Sequence, residues 1–453
     1  SLGTKLPENA RTVGDELQAA GYRTALVGKA HFQPLKSTEE YPSLESYPIM
    51  QNLDFWSTFD GPFYGFETVR LARNHADEAH VGQHYALWME RQGCENWRDF
   101  YRPPTGNNDR QKHRWLIPEE FHYDNWIAAE TVDLLDRYRS AEEPFFLWSS
   151  FFDPHPPYLA PDPWHRMYDP RELTLASAVP GEHDSNPPHF GLTQQDRPDF
   201  SAWRESGQGV HGLNSHLHDR RDLAENVAVY YGMISLMDKY IGVILDRLEE
   251  LGLADNTLVL FTSDNGPAGG LSAGPLRGRK GSAYEGGHRE PTIAWWPGTI
   301  PAGSSSAELA TTMDLHPTFA RLAGRAMPAD RVIDGKDIAP LLLGTPGATT
   351  PHDRFFYQQG GSLAAVRAGD WKLLVKGELY NLASDLAEKN DVAAENPDIV
   401  ARLEGLLAEF RADLEKNSRP VGIAANPRTL APRPGVEGEE AYRPTLSLPR
   451  EGK

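Results

Sequence analysis

The sequence predicts an α/β protein with a mostly parallel central sheet flanked by helices, followed by a smaller antiparallel sheet with one packed helix. Short apolar runs alternate with helix-type segments over residues 11–296, as in strands joined by helical crossovers. Near residue 351 the pattern changes to short strands separated by turns. The 453 residues also exceed the size at which one hydrophobic core usually stops growing, so we expect more than one domain.

The elements of the first part follow from the spacing of apolar residues. Helices are predicted at residues 11–20, 121–139 and 220–252. Strands are predicted at residues 23–27, 144–152, 257–261 and 291–296. The helix at 220–252 has the clearest signal, because its apolar residues recur at spacings of three and four and form one stripe. The continuous apolar runs at 144–152 and 257–261 are typical of strands buried on both faces.

The segments between and after these elements indicate the domain organisation of the chain. Residues 32–120 and 161–218 show little periodicity, and we expect long loops there over one face of the core, where substrate contacts are common. Short strands are predicted at residues 355–358, 363–367, 371–376 and 378–382, with a helix near 397–414. The predicted organisation is an α/β domain at 1–350, a small α+β subdomain at 351–416 and an extended tail at 417–453.

The bulk composition excludes several classes of protein. The formal net charge is −19, whereas a general nucleic-acid binder usually carries a basic face, so we expect no nucleic-acid partner. No apolar run is long enough to predict a membrane-spanning helix. The single cysteine, Cys94, rules out an intrachain disulfide and a cysteine-rich zinc site.

Two motifs place histidines after predicted strands. Lys29 and His31 lie two residues apart in an extended segment, so their side chains point to the same side and could reach one anion. His155 lies between Pro154 and Pro156, which fix its backbone and make it a candidate general acid or base. The alternatives are a surface lysine beside a chance histidine, and a histidine that caps a turn.

Two later motifs supply oxygen ligands and cations. Asp264 and Asn265 follow a predicted strand and offer two hard oxygen ligands, which suit Ca²⁺ or Mg²⁺ better than Zn²⁺. The alternative is an Asx-type turn closed by Gly266. Lys280 lies in a loop at 277–291 that combines clustered cations with glycines and could bind an anion. The alternative for this loop is a solvated basic segment.

In their order along the chain, these motifs resemble those of the sulfatase family of the alkaline-phosphatase superfamily. The matching patterns are GYRTxxxGKxH, DPHxP, SDNG and KGxxxEGGxRxP, and the resemblance covers residues 3–415. It implies that Lys29 and Lys280 bind the sulfate oxygens. It also implies that His31 lies beside the nucleophile and helps to release sulfate from it, and that His155 protonates the leaving-group oxygen. We expect these side chains to converge on one pocket at the carboxyl edge of the sheet.

The resemblance also implies a metal and a substrate class. Asp264 and Asn265 would be two of the metal ligands, and the metal would be Ca²⁺ in preference to Mg²⁺ or Mn²⁺. The family hydrolyses sulfate esters, so the expected partner is a small-molecule or oligosaccharide sulfate ester, and we favour a sulfated carbohydrate. A periplasmic or secreted location would suit the family.

The sequence departs from the family in one respect. The family's nucleophile is a formylglycine made from Cys or Ser in a CxPSR-type motif, and two adjacent Asp complete its metal site; residues 1–453 contain neither pattern. The nucleophile motif and the Asp pair would both precede Ser1, so we expect the chain to be N-terminally incomplete. We also expect it to lack the first strand of the central sheet and to be inactive towards aryl sulfates by itself. Cys94 lacks the Pro-Ser-Arg context and is expected to be structural.

Two rival functions stay open at this point. A phosphatase or phosphonate monoester hydrolase of the same superfamily would share the fold, but such enzymes often bind two metals, and the sequence reveals no second cluster beyond Asp264 and Asn265. The KGxxxEGG loop favours the sulfatase. A non-catalytic sulfate- or glycan-binding protein would suit the missing nucleophile. A Cys or Ser followed by x-Pro-Ser-Arg in the upstream sequence would decide for an enzyme.

Overall fold

The computed structural model describes residues 4–7, 10–34, 37, 42–46, 48–73, 81–101, 113–175, 220–268, 271–329, 331–359, 361–418 and 422–423. The strands are β1 (Thr4–Lys5), β2 (Arg23–Gly28), β3 (Thr68–Leu71), β4 (His113–Arg114), β5 (Phe145–Ser150), β6 (Leu159–Ala160), β7 (Val259–Thr262), β8 (Thr292–Trp295), β9 (Phe355–Gln359), β10 (Ser362–Ala368), β11 (Trp371–Leu374), β12 (Leu379–Asn381) and β13 (Gly422–Ile423). The helices are α1 (Val13–Gln18), α2 (Leu53–Trp56), α3 (Gln83–Arg91), α4 (Tyr123–Arg139), α5 (Arg220–Glu250), α6 (Glu285–His288), α7 (Leu315–Leu322), α8 (Ala339–Leu342) and α9 (Pro397–Asn417).

A parallel sheet of order β3-β2-β5 forms the described centre of the α/β part. Strand β2 is buried from its second residue onward, because it has a strand partner on each side. It ends at Gly28, which has a φ of 105° and lies opposite Ser150. A Cβ at Gly28 would approach the Ser150 carbonyl oxygen to 2.0 Å, so only glycine fits here. This close approach fixes the point at which Lys29 leaves the sheet.

Strands β7 and β8 form a separate antiparallel pair, in register from Val259 with Trp295 to Thr262 with Thr292. The prediction that 144–152 and 257–261 are buried on both faces is wrong. Trp148 of β5 is 40% exposed and Phe261 of β7 is 38% exposed. Burial on both faces needs a packed layer on each face of a strand, and the described residues cover the side chains of β5 and β7 only in part.

Two long helices pack beside the sheet, where the apolar stripes predicted them. Helix α4 lies on β5, and α5 packs along α4. Leu135 of α4 and Leu248 of α5 share a core cluster at one end, and Leu236 packs near the middle of α5. Within the described residues, the segment Leu223–Glu250 of α5 is long and apolar enough to cross a membrane. Core helices of soluble proteins share those properties, so this finding is weak evidence of a span.

The antiparallel sheet predicted near the C-terminus is confirmed, with strand order β12-β11-β10-β9. Helix α9 packs on it, and the rings of Phe356 and Phe410 stack at 3.9 Å between centroids. The division of the chain after residues 350 and 416 stays a prediction. Most of the tail predicted at 417–453 and much of the loop predicted at 161–218 lie outside the described residues.

Candidate active site

Lys29 leaves the carboxyl end of β2 with its backbone N–H donating to the Ser150 carbonyl oxygen at 3.2 Å. Burial lowers the pKa of Lys29, and the negative charge of Asp264 opposes that shift. The positive charges of Lys280 and Arg73 lower the pKa of Lys29 further. Two distant parts of the chain, one at Arg73 and one from Asp264 to Lys280, therefore bring their charges within electrostatic range of the Lys29 ammonium group.

Arg73 is a cation that the sequence analysis did not single out. It lies two residues beyond the end of β3 and is only 3% exposed. The backbone N–H of the preceding residue, Ala72, donates to the Gly28 carbonyl oxygen at 3.0 Å, which ties this segment to the end of β2. Its charge lowers the pKa of both Lys29 and His31. Arg73 thus adds a buried positive charge to the same edge of the sheet.

His31 is held by a buried carboxylate, Glu45. The Glu45 carboxylate accepts the backbone N–H groups of His31, Phe32 at 2.7 Å and Gln33 at 2.9 Å. The backbone of His31 takes a φ of 59°, a left-handed conformation that this carboxylate helps to hold. Although much of the His31 side chain reaches solvent, desolvation of its ring and the charge of Lys29 lower its pKa to about 4. The ring is therefore neutral near pH 7.

The motifs of Asp264 and Lys280 are packed directly against each other. The backbone N–H of Lys280 donates to the Pro267 carbonyl oxygen at 3.0 Å. A Cβ at Gly266 would lie 2.0 Å from the Gly286 carbonyl oxygen, so the two glycine-containing segments touch. This contact places the loop of Lys280 beside the end of β7, where Asp264 lies.

Oxygen ligands gather beside Asp264. Asp264 follows the end of β7 and Glu290 precedes β8, so both lie beyond the paired ends Thr262 and Thr292 of the two strands. Burial and the charge of Asp264 raise the pKa of Glu290 to about 7. Within the described residues, the buried Oε1 of Glu290 has no hydrogen-bond partner. Asn265 donates its side-chain amide to the Gly266 carbonyl oxygen at 3.4 Å. Two carboxyl groups and an amide oxygen would suit a hard cation such as Ca²⁺.

His155 follows β5, whose last residue, Ser150, pairs with Gly28 at the same sheet edge. Its backbone N–H donates to the Phe152 carbonyl oxygen at 2.9 Å, and its ring Nδ1 lies 2.6 Å from the Pro156 carbonyl oxygen. These contacts fix the histidine locally. The approach of its ring to the lysines stays a prediction.

A second group of potential metal ligands was missed by the sequence analysis. Ligand atoms of His122, Asp124 and Asp153 all lie within 4.8 Å of one another, and the three side chains are 0%, 0% and 6% exposed. They could hold a metal ion. Burial raises the pKa of Asp124 and Asp153, so a proton shared between the two carboxyl groups is the other arrangement that suits them. The group assembles only because the start of α4 packs against the segment after β5.

Cys94 lies in the hydrophobic core and is 5% exposed. The same core also contains Trp97 and Trp115. Burial raises the pKa of its thiol, which disfavours the nucleophilic thiolate. These surroundings are those of a packing residue.

Comparisons with known proteins agree with the motifs. The family profile described as Sulfatase matches residues 2–325. An N-acetylgalactosamine-6-sulfatase of Canis lupus familiaris is 46% identical over 376 residues, which are 81% of this chain and 54% of that protein. A sulfatase of Formosa agariphila is 34% identical over 486 aligned residues, covering 96% of this chain and 76% of that protein. The chain thus spans about half the length of the canine relative.

Solved structures share the fold. The phosphonate monoester hydrolase SpPMH from Silicibacter pomeroyi has a TM-score of 0.64 at 20% identity and covers 92% of this chain and 82% of its own. BT4656, solved with its substrate D-glucosamine-2-N,6-O-disulfate, has a TM-score of 0.55 at 19% identity and covers 92% of this chain and 84% of its own. Together with the profile match and the Formosa relative, these results place the chain in the sulfatase family.

Proposed function

We propose that the protein is a sulfuric ester hydrolase that removes sulfate from a sulfated substrate. The observation that carries this proposal is that the charges of Lys280, Arg73 and Asp264 all act on the buried ammonium group of Lys29, which follows the end of β2. A sulfate monoester is an anion, and clustered cations near a hard-cation site suit both its binding and the charge that develops as the S–O bond breaks.

The proposed roles divide the site between binding and proton transfer. Lys29 and Lys280 bind the sulfate oxygens. His31, neutral near pH 7, forms a hydrogen bond with the nucleophile or transfers a proton to or from it, and so helps to release sulfate. His155 protonates the leaving-group oxygen from a segment that its two flanking prolines hold rigid. The nucleophile we infer is the family's formylglycine, whose precursor motif does not occur in residues 1–453.

Sulfatases are metal-dependent, and we infer that this protein binds Ca²⁺ through Asp264 and Asn265, with Glu290 beside them. When bound, such an ion holds the sulfate and offsets its negative charge. The crowding of Asp264 and Glu290 supports this assignment, because a cation between two carboxyl groups relieves their repulsion.

We infer a sulfated carbohydrate as the substrate. The canine relative is named for N-acetylgalactosamine 6-sulfate chemistry, and BT4656 was solved with a disulfated glucosamine. Both names point to sulfated amino sugars for those proteins. Sulfated amino sugars are therefore the first substrates to assay for this protein.

The alternative is a phosphonate monoester hydrolase, favoured by the fold of SpPMH. Such enzymes often bind two metals, and the group of His122, Asp124 and Asp153 could hold a metal. That group is closed to solvent, so a substrate would not reach a metal held there. A buried metal of this kind would be structural, and it does not supply the second catalytic metal.

The test compares three esters with one leaving group. The intact protein, supplied with Ca²⁺, is assayed on 4-nitrophenyl sulfate, 4-nitrophenyl phosphate and 4-nitrophenyl phenylphosphonate. We expect the highest kcat/KM for the sulfate. A higher value for the phosphonate or phosphate would assign the protein to the rival reaction. Sulfate binding without turnover of any ester would indicate a binding protein.

A further inference from the structure

Lys372, a lysine of the C-terminal sheet, is completely buried. Lys372 of β11 is 0% exposed, and its ammonium nitrogen lies 2.9 Å from Glu285 Oε1 and 2.9 Å from Glu388 Oε1. Glu285 is 3% exposed and Glu388 is 0% exposed. We call Lys372, Glu285 and Glu388 the buried ion cluster. It joins the C-terminal sheet to the loop that carries Lys280.

Hydrogen bonds hold the carboxylates of the buried ion cluster in fixed orientations. The Tyr357 hydroxyl donates to Glu285 Oε1 at 3.1 Å, and the backbone N–H of Glu285 donates to Glu388 Oε2 at 2.6 Å. Burial alone would raise the pKa of Glu285, but the charge and hydrogen bond of Lys372 hold it below its ordinary value. Replacing a buried ion group by apolar side chains is often neutral for stability, so a role in positioning is a better account of this cluster than stability.

Glu388 is itself held in an unusual conformation. Its φ is 51°, in the left-handed region that non-glycine residues seldom adopt. The Arg277 guanidinium donates to the Glu388 carbonyl oxygen at 2.9 Å and to the Tyr380 hydroxyl at 3.0 Å. The start of the Lys280 loop is therefore tied to the same turn that supplies a carboxylate to the cluster.

Backbone contacts within the 277–287 loop connect the buried ion cluster to Lys280. The N–H of Gly286, next to Glu285, donates to the Arg277 carbonyl oxygen at 2.7 Å and so closes the loop on itself. A Cβ at Gly286 would lie 2.4 Å from the Gly278 carbonyl oxygen, so the loop's two ends are in direct contact. Lys280 lies between these contacts, and its backbone N–H is bound to the segment after Asp264.

We propose that Lys372 is a positioning residue for the sulfate site: through Glu285 and Glu388 it fixes the 277–287 loop and so aims Lys280 at the anion. This inference rests on the proposed function, since Lys280 is taken to bind sulfate. It assigns part of the active-site geometry to the C-terminal sheet. A misplacement of about 1 Å can cost on the order of 10²-fold in rate, so a small shift of the loop would be measurable.

The test uses the intact protein and two variants of the cluster. Lys372→Met is expected to lower kcat/KM for 4-nitrophenyl sulfate by about 10²-fold and to lower the thermal midpoint. The neutral triple variant Lys372→Met/Glu285→Gln/Glu388→Gln has no unpaired buried charge. We expect it to regain most of the thermal midpoint without regaining kcat/KM. If Lys372→Met fails to fold, the triple variant alone carries the test.

The control is Asp314→Asn, which breaks the buried pair of Asp314 with His352, 2.7 Å apart and outside the 277–287 loop. It should lower the thermal midpoint and keep the parental kcat/KM. Parental kcat/KM in a folded cluster variant, with Lys280→Ala impaired, would overturn the positioning role alone. No effect of Lys280→Ala would instead remove the sulfate site on which the inference rests.

Discussion

Lys280→Ala is expected to lower kcat/KM for a sulfate ester by about 10²–10³-fold, the usual loss for one electrostatic donor at a transition state. Its effect on stability should be within about ±0.5 kcal/mol, since a half-buried loop side chain contributes little packing. The hydrogen bond from the Lys280 backbone N–H to Pro267 survives in the variant, so the loop should keep its path. The measurement pairs steady-state kinetics with the thermal midpoint.

The matched control is Lys416→Ala, which removes an exposed lysine at the end of α9 and should change neither quantity. An unchanged rate for Lys280→Ala would remove this lysine from the site. A large drop of its thermal midpoint would make it a structural residue.

Asp264→Asn is expected to weaken Ca²⁺ binding and to cost at least about 10²-fold in turnover, because even losing a residue that only supports a metal ligand costs 10–100-fold. The substitution keeps an oxygen in place and removes only its charge. It should also lower the pKa of Lys29 further, because the carboxylate of Asp264 raises it in the parent protein. Chelation of Ca²⁺ from the parent should reproduce the loss, and added Ca²⁺ should reverse it.

Titration calorimetry with Ca²⁺ on the chelated protein measures this prediction. Asp255→Asn, at an exposed turn before β7, serves as the control and should bind Ca²⁺ like the parent. Equal Ca²⁺ affinity and turnover in the parent and in Asp264→Asn would exclude Asp264 as a ligand.

Secondary-structure elements could be predicted best where one periodicity of apolar residues continues over many residues. The helix expected at 220–252 is observed at Arg220–Glu250, and the helix expected at 121–139 at Tyr123–Arg139. Strand β3 escaped prediction, although it pairs with β2 along its whole length, because Thr68–Leu71 is only four residues long and lies in a segment without periodicity. Its partner is far away in sequence, and no local pattern reveals that pairing.

Local motifs likewise predicted only the part of the site that each motif contains. Glu45 binds the backbone around His31, and Arg73 brings a further cation, but neither lies in a motif whose spacing indicates chemistry. Glu290 became visible only through the register of β7 and β8. Lys372 lies in the strand predicted at 371–376, and its ion pair with Glu285 depends on packing between two distant segments.

The most direct test of the central claim is a crystal structure of the intact protein with Ca²⁺ and inorganic sulfate. We predict one sulfate ion within hydrogen-bonding distance of both the Lys29 and the Lys280 ammonium groups, next to a Ca²⁺ ion bound by Asp264 and Asn265. A structure in which the two lysines bind separate anions, or in which Lys280 points into solvent away from Asp264, would contradict the proposal of a single sulfate site.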